Sequence, residues 1–128
     1  MAEVLAATGK RVIATDLYDR GYGEAGFDSL KSTRKAPNVV TNPPCNAAEG
    51  LLATGLQIVE KKFALLLRPA LLEGANHAKT IVHRTPPRCV CVFSARVTFY
   101  PKGVIASGSG TTTYALYVWD KALKGQLN

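Results

Sequence analysis

The sequence predicts an α/β domain with a largely parallel sheet. Short strand-like runs alternate with helical segments along the chain. One run, Phe-Ala-Leu-Leu-Leu at 63–67, is continuously apolar, the pattern of a central strand covered on both faces. The β-branched and aromatic run at 111–119 follows another strand with no helix between, which predicts an antiparallel pair at one edge.

Each element follows from local chemistry. Residues 2–8 read as a helix with Gly9 as its C-cap. Residues 11–15, Arg-Val-Ile-Ala-Thr, read as a buried strand ending at Asp16. Residues 19–26 are glycine-rich and polar, hence a loop, and 29–35 form a basic connection. Residues 38–41 are a second strand, stopped by Asn42-Pro43-Pro44 because proline cannot donate to a sheet ladder. Residues 46–61 show helical spacing of Leu51, Leu52, Leu56, Ile58 and Val59, with Asn46 as N-cap. Pro69 ends the apolar run at 63–67, and residues 70–81 form a helix weakened by Gly74. Beyond Pro86-Pro87, residues 88–94 are strand-like and 96–100 prolong that strand after a bend. Residues 102–110 are a Gly/Ser loop, 111–119 a final strand and 121–128 a tail.

At 128 residues the chain is one domain by length, and 47% hydrophobic with 20% charged residues excludes disorder. No stretch approaches the roughly 18 uninterrupted apolar residues of a membrane span. The longest candidate, 63–72, is broken by Arg68 and Pro69. Glu3 and the lack of a charged-then-apolar start predict no secretion signal. Three cysteines, an odd number, argue against a disulfide framework, so a reduced, cytoplasmic protein is expected. The formal net charge is +7. Residues 1–73 nearly balance, with nine Lys and Arg against eight Asp and Glu, whereas 74–128 set seven bases against Asp120 alone. A one-sided basic surface attracts polyanions by counterion release, which points towards nucleic acid.

The most informative string is Val39-Val40-Thr41-Asn42-Pro43-Pro44-Cys45. It lies at the end of a predicted strand, where open α/β sheets bind ligands. Here the chain resembles the S-adenosylmethionine-dependent adenine-N6 and related amino-methyltransferases, small phage-type DNA methyltransferases in particular. Their motif is Asn or Asp, Pro-Pro, then an aromatic, after the fourth strand. The resemblance runs in order along most of the chain. Arg11 to Asp16 is similar to the family's second strand with its acidic end, Phe63 to Arg68 to the fifth strand, and Leu71-Leu-Glu-Gly74 to the segment after it. Tyr114 to Asp120 is similar to the last, antiparallel strand.

The resemblance implies a Rossmann-like methyltransferase sheet, mostly parallel, with the last strand antiparallel. It implies S-adenosylmethionine as cofactor and the amino group of DNA adenine as substrate. An exocyclic amine is a poor nucleophile because its lone pair is delocalised into the ring. Two acceptors, the Asn42 side-chain oxygen and the Pro43 carbonyl, orient its N–H groups and draw the lone pair out of plane. Pro43 and Pro44 stiffen the loop in advance, and Cys45 completes the catalytic string. In the cofactor site Asp16, with Leu17 beside it, accepts from the ribose hydroxyls, Asp28 meets the adenine amino group, and Asn42 borders the methyl donor. Methylation of a protein glutamine or of a small molecule is an alternative. So is a non-catalytic remnant that binds nucleic acid or a partner chain.

Two departures from the family pattern stand out. Cys45 replaces the aromatic that stacks on the flipped base, a contact worth roughly 1–3 kcal/mol; a thiol offers only soft van der Waals contact. The first strand, the Gly-rich turn and the central strand are missing, so a truncated or mis-started domain is expected. A missing central strand leaves a slot that a second copy of the chain could fill.

Elsewhere, Arg84, Arg88, Arg96 and Lys102 cluster near the last strands, interleaved with Tyr100, Tyr114, Tyr117 and Trp119, a mix suited to nucleic-acid contact or, for the aromatics, to a core. Residues 107–113 with Lys102 offer backbone-phosphate contacts or a solvated hairpin loop. Cys89 and Cys91 face one side of a strand. A metal site would need Cys45, His77 or His83 as well, and buried apolar cysteines are the simpler expectation. Ser94, Ser107 and Ser109 with His77 or His83 lack the Gly-x-Ser-x-Gly elbow of a hydrolase.

Overall fold

The computed structural model describes residues 1–95, 97 and 112–122, apart from the side chains of residues 77 and 78. The chain gathers into two compact units, Met1–Thr33 and Arg34–Asn128.

The first unit holds a short helix, α1 (Ala2–Ala6), followed by a turn in which Gly9 takes the left-handed conformation at φ +81°. The strand expected at 11–15 does not form. A single bridge joins Thr15 to Glu24, through Asp16 N–H to Glu24 C=O and Glu24 N–H to Ala14 C=O, both at 2.9 Å, and Ile13 is 62% exposed. A strand needs a neighbour along its whole length to take up its N–H and C=O groups, and in this unit the returning chain accompanies it for one position. The tight return requires glycine at position 23, where φ is +77° and a Cβ would sit 2.5 Å from the Ala14 carbonyl oxygen. The unit ends in a 3-10 turn, Ser29–Lys31, capped by Asp28.

The second unit is α/β. Its strands are β1 (Ala36–Thr41), β2 (Val59–Leu67), β3 (Cys89–Val92) and β4 (Ala115–Asp120), arranged β1-β2-β4-β3 in one mixed sheet. β1 and β2 are parallel, and β4 runs antiparallel to both β2 and β3. The predicted antiparallel pair exists, with β3 at the edge, but β4 is interior. β2 is therefore central, as its apolar run predicts, with one parallel and one antiparallel neighbour. The β1 register shifts between Ala36 and Asn38, at Pro37, which has no N–H for the ladder. Among the described residues β1 pairs on one side only.

A 3-10 turn, Cys45–Ala47, leads into helix α2 (Ala48–Ile58). Asn46 thus lies inside the turn rather than capping the helix. α2 also ends three residues before the predicted Lys61, because Val59 is buried and pairs with Ala36 as the first residue of β2. The helix predicted over 70–81 breaks at Gly74, which is extended at ψ 125°. It divides into a 3-10 turn (Pro69–Glu73), the short helix α3 (Ala75–Ala78) and a π-type turn (Lys79–Arg84).

Residues in register share a sheet face. One face carries Phe63, Leu65 and Leu67 of β2 opposite Trp119, Tyr117 and Ala115 of β4. These pack with Ala48 and Leu52 of α2 and with Ile81 into the hydrophobic core. The Phe63 and Trp119 rings meet at 5.9 Å, and Trp119 Nε1 donates to the Thr85 carbonyl at 2.7 Å, which satisfies the one polar atom of that ring. Among the described helices none is long and apolar enough to cross a membrane.

Candidate active site

Parallel strands present their carboxyl ends on one side of a sheet, and an antiparallel neighbour presents its start there. β1 ends at Thr41 and β2 at Leu67, while β4 begins at Ala115, opposite Leu67 in register. The residues just outside these ends are Asn42, Arg68 and Tyr114, and they meet. A cleft of about 330 Å³ is lined by Asn42, Pro43, Pro44, Cys45, Leu66, Leu67, Arg68 and Tyr114. The whole Asn-Pro-Pro-Cys string thus lies in a cleft at a strand tip.

Asn42 is exposed, whereas Pro43 is buried and anchors the elbow. Among the described residues none bonds the Asn42 amide, and none donates to the Pro43 carbonyl. The Pro44 carbonyl is taken, accepting from Ala47 N–H at 2.9 Å as the following turn begins. Among the described residues both oxygens are therefore unspent, and the two prolines fix φ on either side of the Pro43 carbonyl.

Cys45 does more than sequence reasoning expected of a thiol. Arg68 Nη2 donates to its Sγ at 3.4 Å. That hydrogen bond first, then the charge interactions with Cys45 and Tyr114, hold the Arg68 guanidinium above its ordinary pKa. Arg68 and Tyr114 escaped notice as cleft residues. The rule that ligands sit beyond the carboxyl ends of strands, applied to the second parallel strand as it was to the first, identifies Arg68. Tyr114 needs the sheet order.

Asp16 and Asp28, in the first unit, are engaged locally. Asp16 Oδ1 accepts from Tyr18 N–H at 2.9 Å and its Oδ2 is 3.4 Å from Arg20 Nε. Asp28 Oδ1 accepts from Leu30 N–H at 3.1 Å, with Lys31 Nζ 3.6 Å from Oδ2. Each carboxylate oxygen has a second lone pair, so acceptor capacity remains for a hydroxyl or an amine. Leu17 is exposed, and its carbonyl accepts from Gly26 N–H at 3.2 Å.

Arg84 and Arg88 are exposed, but neither lines the cleft. Arg88 N–H bonds the Val118 carbonyl at 2.6 Å, near the far end of β4. At about 3.3 Å per residue along β3 that is roughly 13 Å from the Val92 and Ala115 level. Arg96, Tyr100, Lys102, Ser107, Ser109 and the His77 side chain lie outside the described residues. Cys89 and Cys91 are exposed, against the expectation of buried cysteines. Both stand on the sheet face of Val118 and Leu116, opposite the face from which Tyr117 and Trp119 enter the core. Partial desolvation and then the Cys91 side chain push the Cys89 thiol up. Among the described residues no group of three or more His, Cys, Asp or Glu gathers as a metal site. No family model, curated protein or solved structure matches this chain.

Proposed function

We propose that this chain is an S-adenosylmethionine-dependent N-methyltransferase domain of the adenine-N6 type. The observation that carries this reading is the Asn42-Pro43 elbow, its two acceptors unspent among the described residues, in a cleft at the end of a parallel strand. The sheet supports it: three strands point one way and the last in sequence is antiparallel, as a Rossmann-like methyltransferase sheet implies. The side of β1 left unpaired among the described residues is where a central strand of such a sheet, or a second copy of the chain, would pair.

The cofactor, when bound, supplies an electrophilic methyl group on sulfur. The chain supplies position. The Asn42 side-chain oxygen and the Pro43 carbonyl would accept the two amine N–H groups, pyramidalise the nitrogen and so withdraw its lone pair from conjugation with the ring. That leaves the nitrogen oriented to take the methyl group the cofactor would supply, with water as the sink for its surplus proton. No side chain with a shifted pKa is required. Within the first unit, Asp16 and Asp28 each keep acceptor capacity beyond their local bonds.

Calorimetric titration with S-adenosylmethionine tests the reading directly. Measurable heat, followed by transfer of labelled methyl to an adenine-containing duplex, is expected. No heat at millimolar ligand would defeat it and leave a non-catalytic remnant, a rival favoured by the commitment of both aspartates to local turns. Transfer to a glutamine peptide in place of DNA would keep the chemistry and change the substrate.

A further inference from the structure

We propose that Arg68 is an anion clamp, selecting a substrate whose amino-bearing ring carries a phosphate over the same ring without one. The inference rests on the methyltransferase reading for the amine, and on the cleft itself for the anion.

Among the described residues eight line the cleft, Arg68 is the one with a formal charge, and none is an acid. An anionic ligand therefore meets a net attraction there and a cation a repulsion. Among the described residues no carboxylate pairs with Arg68. Its one described side-chain partner is Cys45 Sγ, reached through Nη2 at 3.4 Å. A guanidinium has five donors in a rigid fork; among the described residues one of them is engaged, and that fork matches the oxygens of a phosphate bidentately. The contact from Nη2 to the thiol keeps the fork at the cleft lining, where an arriving anion meets it. Cys45 thereby gains a role: at the position where a ring would stack, it tethers the cation.

The remaining wall suits the rest of the same ligand. Tyr114 also lines the cleft, and base–aromatic stacking tolerates any base. Leu66 and Leu67 supply apolar contact. A volume of about 330 Å³ lies within the range of small-molecule clefts. Amine on Asn42 and Pro43, ring on Tyr114 and phosphate on Arg68 describe an aminopurine nucleotide, free or within a strand.

The test compares dissociation constants of the full chain for adenosine monophosphate, for adenosine, and for a short single-stranded adenine oligonucleotide without terminal phosphates. Adenosine monophosphate should bind about tenfold more tightly than adenosine, as a charge-assisted pair at an open cleft allows. Arg68→Gln should bring the two within about twofold of each other, with Trp119 fluorescence unchanged as the check on folding. Arg68→Lys keeps charge without the fork and should retain part of the preference; it also keeps the result readable if the glutamine variant misfolds. An oligonucleotide whose binding depends more strongly on Arg68 would place the phosphate in a strand; the reverse would place it on a free nucleotide. Equal affinity for nucleotide and nucleoside, a preference that survives Arg68→Gln, or no binding of either at millimolar concentration would overturn the inference. Loss of S-adenosylmethionine binding and methyl transfer with the phosphate preference intact would overturn the enzyme reading and leave the clamp.

Discussion

Asn42 is exposed and bonds to no described residue, so truncating it removes nothing that the fold depends on. Asn42→Ala should shift the melting temperature by less than about 3 °C, as surface substitutions do. Methyl transfer should fall by at least about a hundredfold, the usual cost of losing one fixed electrostatic partner of a reacting group. Calorimetry and a labelled-methyl assay read the two quantities separately. Tyr117 behaves in the opposite way. Burial pushes its phenol above the ordinary 10.0, so the folded state favours the neutral form. That contribution is complete below the unfolded value and is lost as pH rises through and above it. The melting temperature should therefore drop more steeply above pH 10 for the wild type than for Tyr117→Phe. The Asn-Pro-Pro-Cys string was legible because its chemistry is local: four consecutive residues fix the acceptors and the backbone. Arg68 was not. It meets Cys45 across 23 residues of chain, and only the pairing of β1 with β2 brings the two together.

At the level of the elements, helix α2 packs on the sheet through a contact that tolerates no side chain. A Cβ at Gly55 would collide with the Phe63 ring, which is itself 1% exposed and cannot withdraw. Gly55→Ala should therefore destabilise the protein by about 1–3 kcal/mol, although alanine is the better helix former by about 1 kcal/mol. Denaturant titration of the variant, beside an exposed control such as Gly50→Ala, separates collision from propensity. The interior elements were the readable ones. An uninterrupted apolar run such as 63–67 has few alternatives, and Asn42-Pro43-Pro44 fixes the end of β1. The boundary of α2 was misplaced because Ile58 and Val59 satisfy a helical stripe and a buried strand equally well; pairing with Ala36 decides it. Residues 11–15 have the composition of a strand but no neighbour to pair with beyond Thr15 and Glu24. Composition reports what a segment would bury, not what lies beside it.

For the molecule as a whole, net charge of +7 governs encounter before any contact forms. Duplex binding should weaken linearly in log–log form with salt. Replacing Arg84 and Arg88 together by alanine should reduce that slope by about 1.8, at roughly 0.9 per phosphate contact. Fluorescence anisotropy between 50 and 200 mM salt measures it, and an unchanged slope would remove these two arginines from the contact surface. The sheet order has a consequence for how the molecule comes to exist. β4 is the last strand in sequence, yet it lies between β2 and β3. During synthesis both earlier strands therefore leave the ribosome with a bare flank, and no sheet spans them until residues 115–120 clear the exit tunnel. Completion of the core thus waits on residues 115–120, after every other described strand has been made. A pause just upstream of that segment would hold the nascent chain in its most adhesive condition, when a chaperone would be needed most.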